Sequence, residues 1–165
     1  MSPTLHLIYG MAGAGKTTLA KKLERALPAV RLSPDEWISP LLETPNDRPE
    51  MDRIRPVIER LQWTLGQRLL SLGTSVILEQ GFWARDERLA YLETARLLGA
   101  TVILHYLDVP KEELARRIEE RNKRLPPGSF LVYPGEIATW MTWLTPPDQA
   151  ELAHYDDYKI YRYEP

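Results

Sequence analysis

The sequence contains no cysteine, which excludes disulfides and thiolate metal centres and fits a reducing interior. It has no large excess of either charge. Its 21 basic and 23 acidic residues leave a formal net charge of −2, so no broad field marks nucleic acid or an anionic membrane as a partner, although a local basic patch is compatible with those totals. It also lacks an apolar run long enough to span a bilayer or act as a leader. Leu5 to Tyr9, the longest such stretch near the N-terminus, is short and interrupted by His6. No membrane association and a cytoplasmic location are the resulting expectations. No internal repeat or low-complexity linker is visible, and 165 residues with 44% hydrophobic content are enough to bury one sizeable core. A single domain over residues 1–165 is expected.

Apolar periodicity orders the chain. Thr4 to Tyr9 is a short apolar run ending at Gly10, and Leu19, Ala20, Leu23, Ala26 and Leu27 then recur at helical spacing from Thr17 onward. Ala29 to Leu32, Thr74 to Leu78 and Thr101 to Leu107 read as further strands, the Thr74 run being continuous in the way of strands buried on both faces of a parallel sheet. Helical patterns lie between them. One runs from Met51 to Leu69 and contains Pro56, which either divides it or opens its longer part; another includes Leu89, Leu92, Leu97 and Leu98. Lys111 to Arg124 is a charged helix with Pro110 placed for its first turn, stopped by Pro126, Pro127 and Gly128. A last strand is expected at Tyr158 to Tyr163. Strands alternating with helices predict an α/β fold whose ligands gather at the carboxyl ends of a mainly parallel sheet.

Gly10-Met11-Ala12-Gly13-Ala14-Gly15-Lys16-Thr17 matches GxxxxGK[ST] between a strand and a helix, the context a P-loop requires. Glycines let the backbone curl so that amides converge, and the following helix adds its partial positive charge. A polyphosphate fits that concave surface. Lys16 is expected at the β- and γ-phosphates, the Thr17 hydroxyl on Mg²⁺, and Thr18 near the α-phosphate.

Two acids stand at the ends of later strands. Asp35, in Ser33-Pro34-Asp35-Glu36 after the second strand, is placed to accept a proton from an acceptor hydroxyl; the same four residues also spell a helix start, with Ser33 as N-cap and Glu36 completing a capping box. Glu79 closes the third strand, where an acid can hold Mg²⁺ through water or simply cap a neighbouring helix. Arg116, Arg117, Arg121 and Arg124 lie on or just past the charged helix. Of these, Arg117 and Arg121 are the candidates to clamp phosphates, set against a solvated face with Glu113–Arg117 and Glu120–Arg124 pairs. Arg85 and Arg88, after the third strand, are candidates to orient an acceptor, or surface charge opening the next helix. Trp83, Trp140 and Trp143 suit either an acceptor pocket or the core, and His6 and His105 read as core histidines.

Gly10 to Thr18, Leu32-Ser33-Pro34-Asp35-Glu36-Trp37, Leu78-Glu79-Gln80-Gly81-Phe82-Trp83 and the Arg117, Arg121, Asn122 set together resemble P-loop kinases related to zeta toxins, chloramphenicol phosphotransferase and the kinase domain of polynucleotide kinases. The resemblance covers residues 4 to 125. It implies a P-loop NTPase fold of adenylate-kinase-like topology, with a five-stranded parallel sheet in the order 2-3-1-4-5 flanked by helices. It implies further that Asp35 is the base toward the acceptor and that Arg117 and Arg121 belong to a lid, here the segment 116–134. Members of that family often carry Asp where this chain has Glu79.

The expected function is transfer of the γ-phosphate of ATP, with Mg²⁺, to a hydroxyl of a small molecule. A 5′-hydroxyl polynucleotide acceptor and a switch or ATPase without a separate acceptor are the alternatives. A GTPase is disfavoured, because Asn122-Lys123 continues as Arg124-Leu125 and not as the guanine-recognition NKxD.

Overall fold

A computed structural model describes residues 1–165. The first strand, β1 (Thr4–Tyr9), runs into α1 (Lys16–Ala26), followed by β2 (Ala29–Leu32), α2 (Pro34–Ile38) and a 3₁₀ turn, Ser39–Leu41. The long helix α3 (Arg48–Ser71) leads to β3 (Ser75–Gly81), α4 (Arg85–Leu97) and β4 (Thr101–Asp108). The chain closes with α5 (Lys111–Lys123), α6 (Glu136–Met141), α7 (Gln149–Leu152) and β5 (Asp157–Arg162). All strand pairs are parallel, in the order β2-β3-β1-β4-β5. This is the P-loop NTPase sheet, with the strand order that the family resemblance implies. No helix is long and apolar enough to cross a membrane.

The continuous apolar runs follow from β1 lying in mid-sheet between two layers of helices. Side chains alternate across a strand, so Leu5, Leu7 and Tyr9 enter one core with Leu70, Leu92 and Ala95, while Ile8 enters the other with Ala20, Leu114 and Ile118. His6 and His105 share the second face: His6 Nδ1 lies 3.0 Å from His105 Nε2, whose Nδ1 lies 3.0 Å from the Tyr161 hydroxyl. Burial holds both rings well below the usual histidine range, at about 4, so they are neutral structural groups.

Three local expectations are corrected. Helix α3 starts before Met51 and passes through Pro56 without a break, because Asp47 caps it by accepting from the Glu50 amide at 3.2 Å and Pro49 occupies its first turn. The capping box at Ser33 is not made. Ser33 sits at the N-cap position without a side-chain bond, while Glu36 turns away to accept twice from Arg31 at 2.9 Å. Glu120 pairs with Lys123 at 2.7 Å, not with Arg124, whereas the Glu113–Arg117 pair forms at 2.7 Å.

Candidate active site

The loop after β1 needs left-handed backbone at Gly13 (φ +84°) and Gly15 (φ +102°). A Cβ on Gly13 would also stand 3.0 Å from Ile118 Cγ1, so this position tolerates no side chain on two counts. Gly15 is the N-cap of α1 and offers no side chain to its first turn. The amides of that turn therefore remain free for an anion, with the helix's partial positive charge behind them. Met11 and Ala14 point into the core, and Gly10 is pressed against Leu107. Ala12, Gly13, Gly15, Lys16, Thr17 and Thr18 line a cleft of about 750 Å³.

Lys16 donates from Nζ to the Met11 carbonyl at 3.0 Å. Loss of water around the ammonium lowers its pKa to about 8, against the opposing pull of Asp35 and Glu79. An ammonium desolvated in this way gains from any anion placed beside it. Arg117 lies along the loop, its Nη1 3.5 and 3.4 Å from the Gly13 and Ala14 carbonyls and its Nε bonded to Glu113. Arg121 donates to the Phe130 carbonyl at 3.0 Å and leaves its Nε buried and unpartnered. Both arginines face the cleft, so Arg117 makes its helical ion pair and reaches the loop at once.

The segment after α5 is drawn over the same space. Residues Pro126 to Val132 line the cleft. Asn122 donates to the Val132 carbonyl at 2.8 Å, Arg48 donates to the Leu131 carbonyl at 2.8 Å, and the Leu131 amide donates to the Asn46 side chain at 2.9 Å.

Asp35, in the first turn of α2, enters the cleft and accepts from Arg55 Nη2 at 2.7 Å. Glu79, at the end of β3, is buried, with 2% of its side chain exposed, and accepts from Arg31 at 2.5 Å; its Oε2 has no partner. The structure thus brings together Lys16, Thr17, Thr18, Asp35, Glu79, Arg117 and Arg121 around one cavity.

Arg85 and Arg88 are the exceptions. Neither lines the cleft. Arg85 reaches Asp148 at 3.2 Å, at the start of α7. Arg88 is fully buried and donates to both Glu151 oxygens at 2.6 and 2.8 Å, to the Phe82 and Trp83 carbonyls, and to the Thr145 carbonyl at 2.8 Å. It therefore fixes the β3–α4 turn. That turn contains Phe82 at φ +50° and aims the Trp83 indole, whose Nε1 donates to the Gly10 carbonyl at 3.1 Å.

The aromatic residues form a wall. Trp83 stands 5.9 Å from Trp140 and 6.4 Å from Trp143 between ring centres, and all three line the cleft. Arg48, Asp52, Arg55, Glu59, Gln80 and Glu87 also line it and were not singled out from the sequence. A signal for four of them existed: positions 48, 52, 55 and 59 fall on one helical stripe of α3. No three His, Asp or Glu side chains converge as a self-sufficient metal centre.

Sheet order, glycine loop and cleft define a P-loop kinase fold. A model of the AAA domain matches residues 5–147, and the chain belongs to that family. A comparison with curated proteins by sequence gave no match. Among solved structures, the chain is similar to a candidate kinase from Chloroflexus aurantiacus, at 21% identity and a TM-score of 0.75, covering 97% of this chain and 88% of the other. It is similar to the Pnkp1/Rnl/Hen1 RNA repair complex at 22% identity, with a TM-score of 0.68, covering 93% of this chain and 46% of that one. It is also similar to the Mycobacterium tuberculosis APS kinase CysC in complex with AMPPNP and APS, at 14% identity and a TM-score of 0.59, covering 99% and 91%. At these identities the likeness is one of fold.

Proposed function

We propose that the protein is an ATP-dependent phosphotransferase acting on a hydroxyl of a small molecule. The observation that carries this reading is the placement of Asp35 in the same cleft as Lys16 and the glycine loop, close enough to pull on the lysine's protonation, with its carboxylate oriented by Arg55. The AMPPNP complex of the related APS kinase fold supports the choice of ATP.

In this reading the triphosphate lies on the amides of Gly13 and of Gly15 to Thr18, the Ala14 amide being used on the Met11 carbonyl, with Lys16 at the β- and γ-phosphates. The acceptor hydroxyl donates to Asp35. Its oxygen forms the new bond to γ-phosphorus as the bond from that phosphorus to the β,γ-bridging oxygen breaks; Asp35 takes the hydroxyl proton, and ADP leaves. Arg117 and Arg121 face the charge that develops on the transferring group. The segment 126–132 acts as a lid that excludes water, so that the acceptor rather than solvent is phosphorylated.

The residues also fit Mg²⁺. Arg31 takes one oxygen of the buried Glu79 carboxylate and leaves Oε2 without a hydrogen-bond partner, and Thr17 lines the same cleft. Few protein ligands suffice for this ion, since substrate phosphates supply the rest. When bound, Mg²⁺ neutralises phosphate charge.

Replacing Asp35 by Asn tests the assignment. Asn keeps the shape of the side chain and a bond to Arg55 through its carbonyl oxygen, so melting temperature and ATP affinity should remain near wild type. Transfer to an acceptor should fall by about 10²- to 10⁴-fold, because the amide cannot take the proton. A variant that melts normally and transfers at the wild-type rate would remove Asp35 from the mechanism.

A further inference from the structure

The end of the cleft beyond Asp35 carries a charge pattern that the transfer chemistry does not require. Asp52, Glu59 and Glu87 line it. Glu87 makes neither a hydrogen bond nor an ion pair with another side chain, and Glu59 has only Arg55, at 3.9 Å. Burial raises the pKa of both carboxyls, Glu59 to about 7, and outweighs the opposing pull of Arg55 on Glu59 and of Arg88 on Glu87, while the charges of Glu87 and Asp35 push Glu59 further up. The nearby guanidiniums are largely committed elsewhere, with the buried Arg48 Nε left without a partner. Arg55 bonds Asp35 at 2.7 Å, and Arg48 bonds Glu136 and the Leu131 carbonyl. Two half-buried carboxylates are thus left short of positive charge, a costly arrangement unless a cation completes it.

Two further features of the same cleft indicate what that cation is attached to. The Arg48 guanidinium already lies over the Trp140 ring, 5.7 Å from its centre, which leaves the tilted rings of Trp83 and Trp143 to take an ammonium over a ring face and the C–H face of a polyol. Gln80 accepts from the Tyr91 hydroxyl at 3.2 Å through Oε1 and leaves its Nε2 buried without a partner. That free donor calls for an oxygen acceptor such as a hydroxyl. A phosphorylated acceptor, or the phosphodiester backbone of a nucleic acid, would instead bring negative charge against Asp52, Glu59 and Glu87.

We infer that the acceptor is a hydroxylated amine, a polyol bearing a protonated amino group held by Glu59, Glu87 and the tryptophan wall while one hydroxyl reaches Asp35. This rests on the phosphotransferase reading of the same cleft and narrows its substrate class. The amine takes no part in the bond changes: the hydroxyl oxygen becomes the phosphate ester oxygen, its proton goes to Asp35, and ADP departs.

Binding measured without turnover tests the inference separately from the chemistry. The protein, saturated with AMPPNP and Mg²⁺, is titrated with kanamycin, glucosamine, glucose and glucose 6-phosphate. At least one of the two amines should bind about tenfold or more tighter than glucose and glucose 6-phosphate. The Glu59→Gln, Glu87→Gln double variant should lose about tenfold or more in amine affinity while keeping its melting temperature and its affinity for AMPPNP. Failure of both amines to bind overturns the inference, as does glucose or glucose 6-phosphate binding equally well, or a double variant that binds amines like wild type. If each Gln variant fails to fold, the four-compound order in the wild-type protein alone decides. Absence of AMPPNP binding would sink the phosphotransferase reading, and the inference with it.

Discussion

At the phosphate end of the cleft the ligand-facing groups come from one stretch, Gly10 to Thr18, joined by Arg117 and Arg121 of a single helix. At the other end they come from α2, α3, the β3–α4 turn and the region around α6, and the turn that carries Trp83 is held from behind by a pair far apart in sequence, Arg88 with Glu151. The first end is built from backbone geometry, positive charge and a helix terminus, which serve any polyphosphate. The second is built from side chains, mostly carboxylates and indoles. On the phosphotransferase reading proposed above, the contrast separates the part of the site that defines the fold's shared chemistry from the part that would select an acceptor.

If that division is correct, the largest effect should come from the phosphate end. Lys16→Ala should weaken ATP binding and lower transfer by on the order of 10³-fold, since it removes the side-chain charge at the β- and γ-phosphates. Titration calorimetry and a transfer assay check it. Wild-type affinity and turnover in this variant would break the comparison at its stronger side.

The acceptor end should fail through its scaffold. Arg88→Met leaves Glu151 buried without its partner, and loss of one member of such a pair costs about 3–5 kcal/mol. Arg85→Ala removes an exposed pair worth well under about 1 kcal/mol. Denaturant unfolding of both variants should show that difference. Equal, small losses would mean that Arg88 does not hold the Trp83 turn.

Arg121→Ala should lower turnover by roughly 10²-fold while ATP affinity changes much less, as expected of a group acting on transition-state charge. Steady-state rates set beside ATP titrations measure this. Unchanged turnover would return Arg121 to a purely structural role at the Phe130 carbonyl.

The smallest predicted effect is one of pH. Lys16 has a free-state pKa of about 8 because it is desolvated, and a polyphosphate beside it raises that value. The bound-state pKa is therefore the higher one, so ATP affinity should be fully present below about pH 8 and decline above it, by at most about tenfold per pH unit. Titrations from pH 7 to 9.5 in buffers of different ionisation enthalpy should show the decline with proton uptake. A flat profile would mean that the ammonium does not meet the phosphates.

The same contrast explains what was legible in the sequence. The strands and the glycine loop are local signals: β1 and its loop follow from an apolar run and four fixed positions, and every strand appears within a few residues of its expected bounds. That Asp35, Arg117 and Arg121 border the cleft was legible because they follow closely on those elements in sequence. Arg88 was misassigned, since its role depends on Glu151, whose distance in sequence no local pattern bridges. The capping box at Ser33 failed because Arg31, drawn in by Glu24 and Glu79, offered Glu36 a stronger partner than the backbone amide. Trp83, Trp140 and Trp143 look the same in sequence whether they fill a core or wall a cleft. The charged stripe of Arg48, Asp52, Arg55 and Glu59 stood on a helix whose apolar face dominated its reading.

The most direct measurement of the central claim is the fate of labelled γ-phosphate from ATP in the presence of hydroxylated acceptors. The account predicts that the label leaves in a phosphate monoester of the acceptor, with ADP formed in equal amount and inorganic phosphate a minor product. Recovery of all the label as inorganic phosphate, at a rate indifferent to every acceptor offered, would contradict it and make the protein a nucleotide hydrolase.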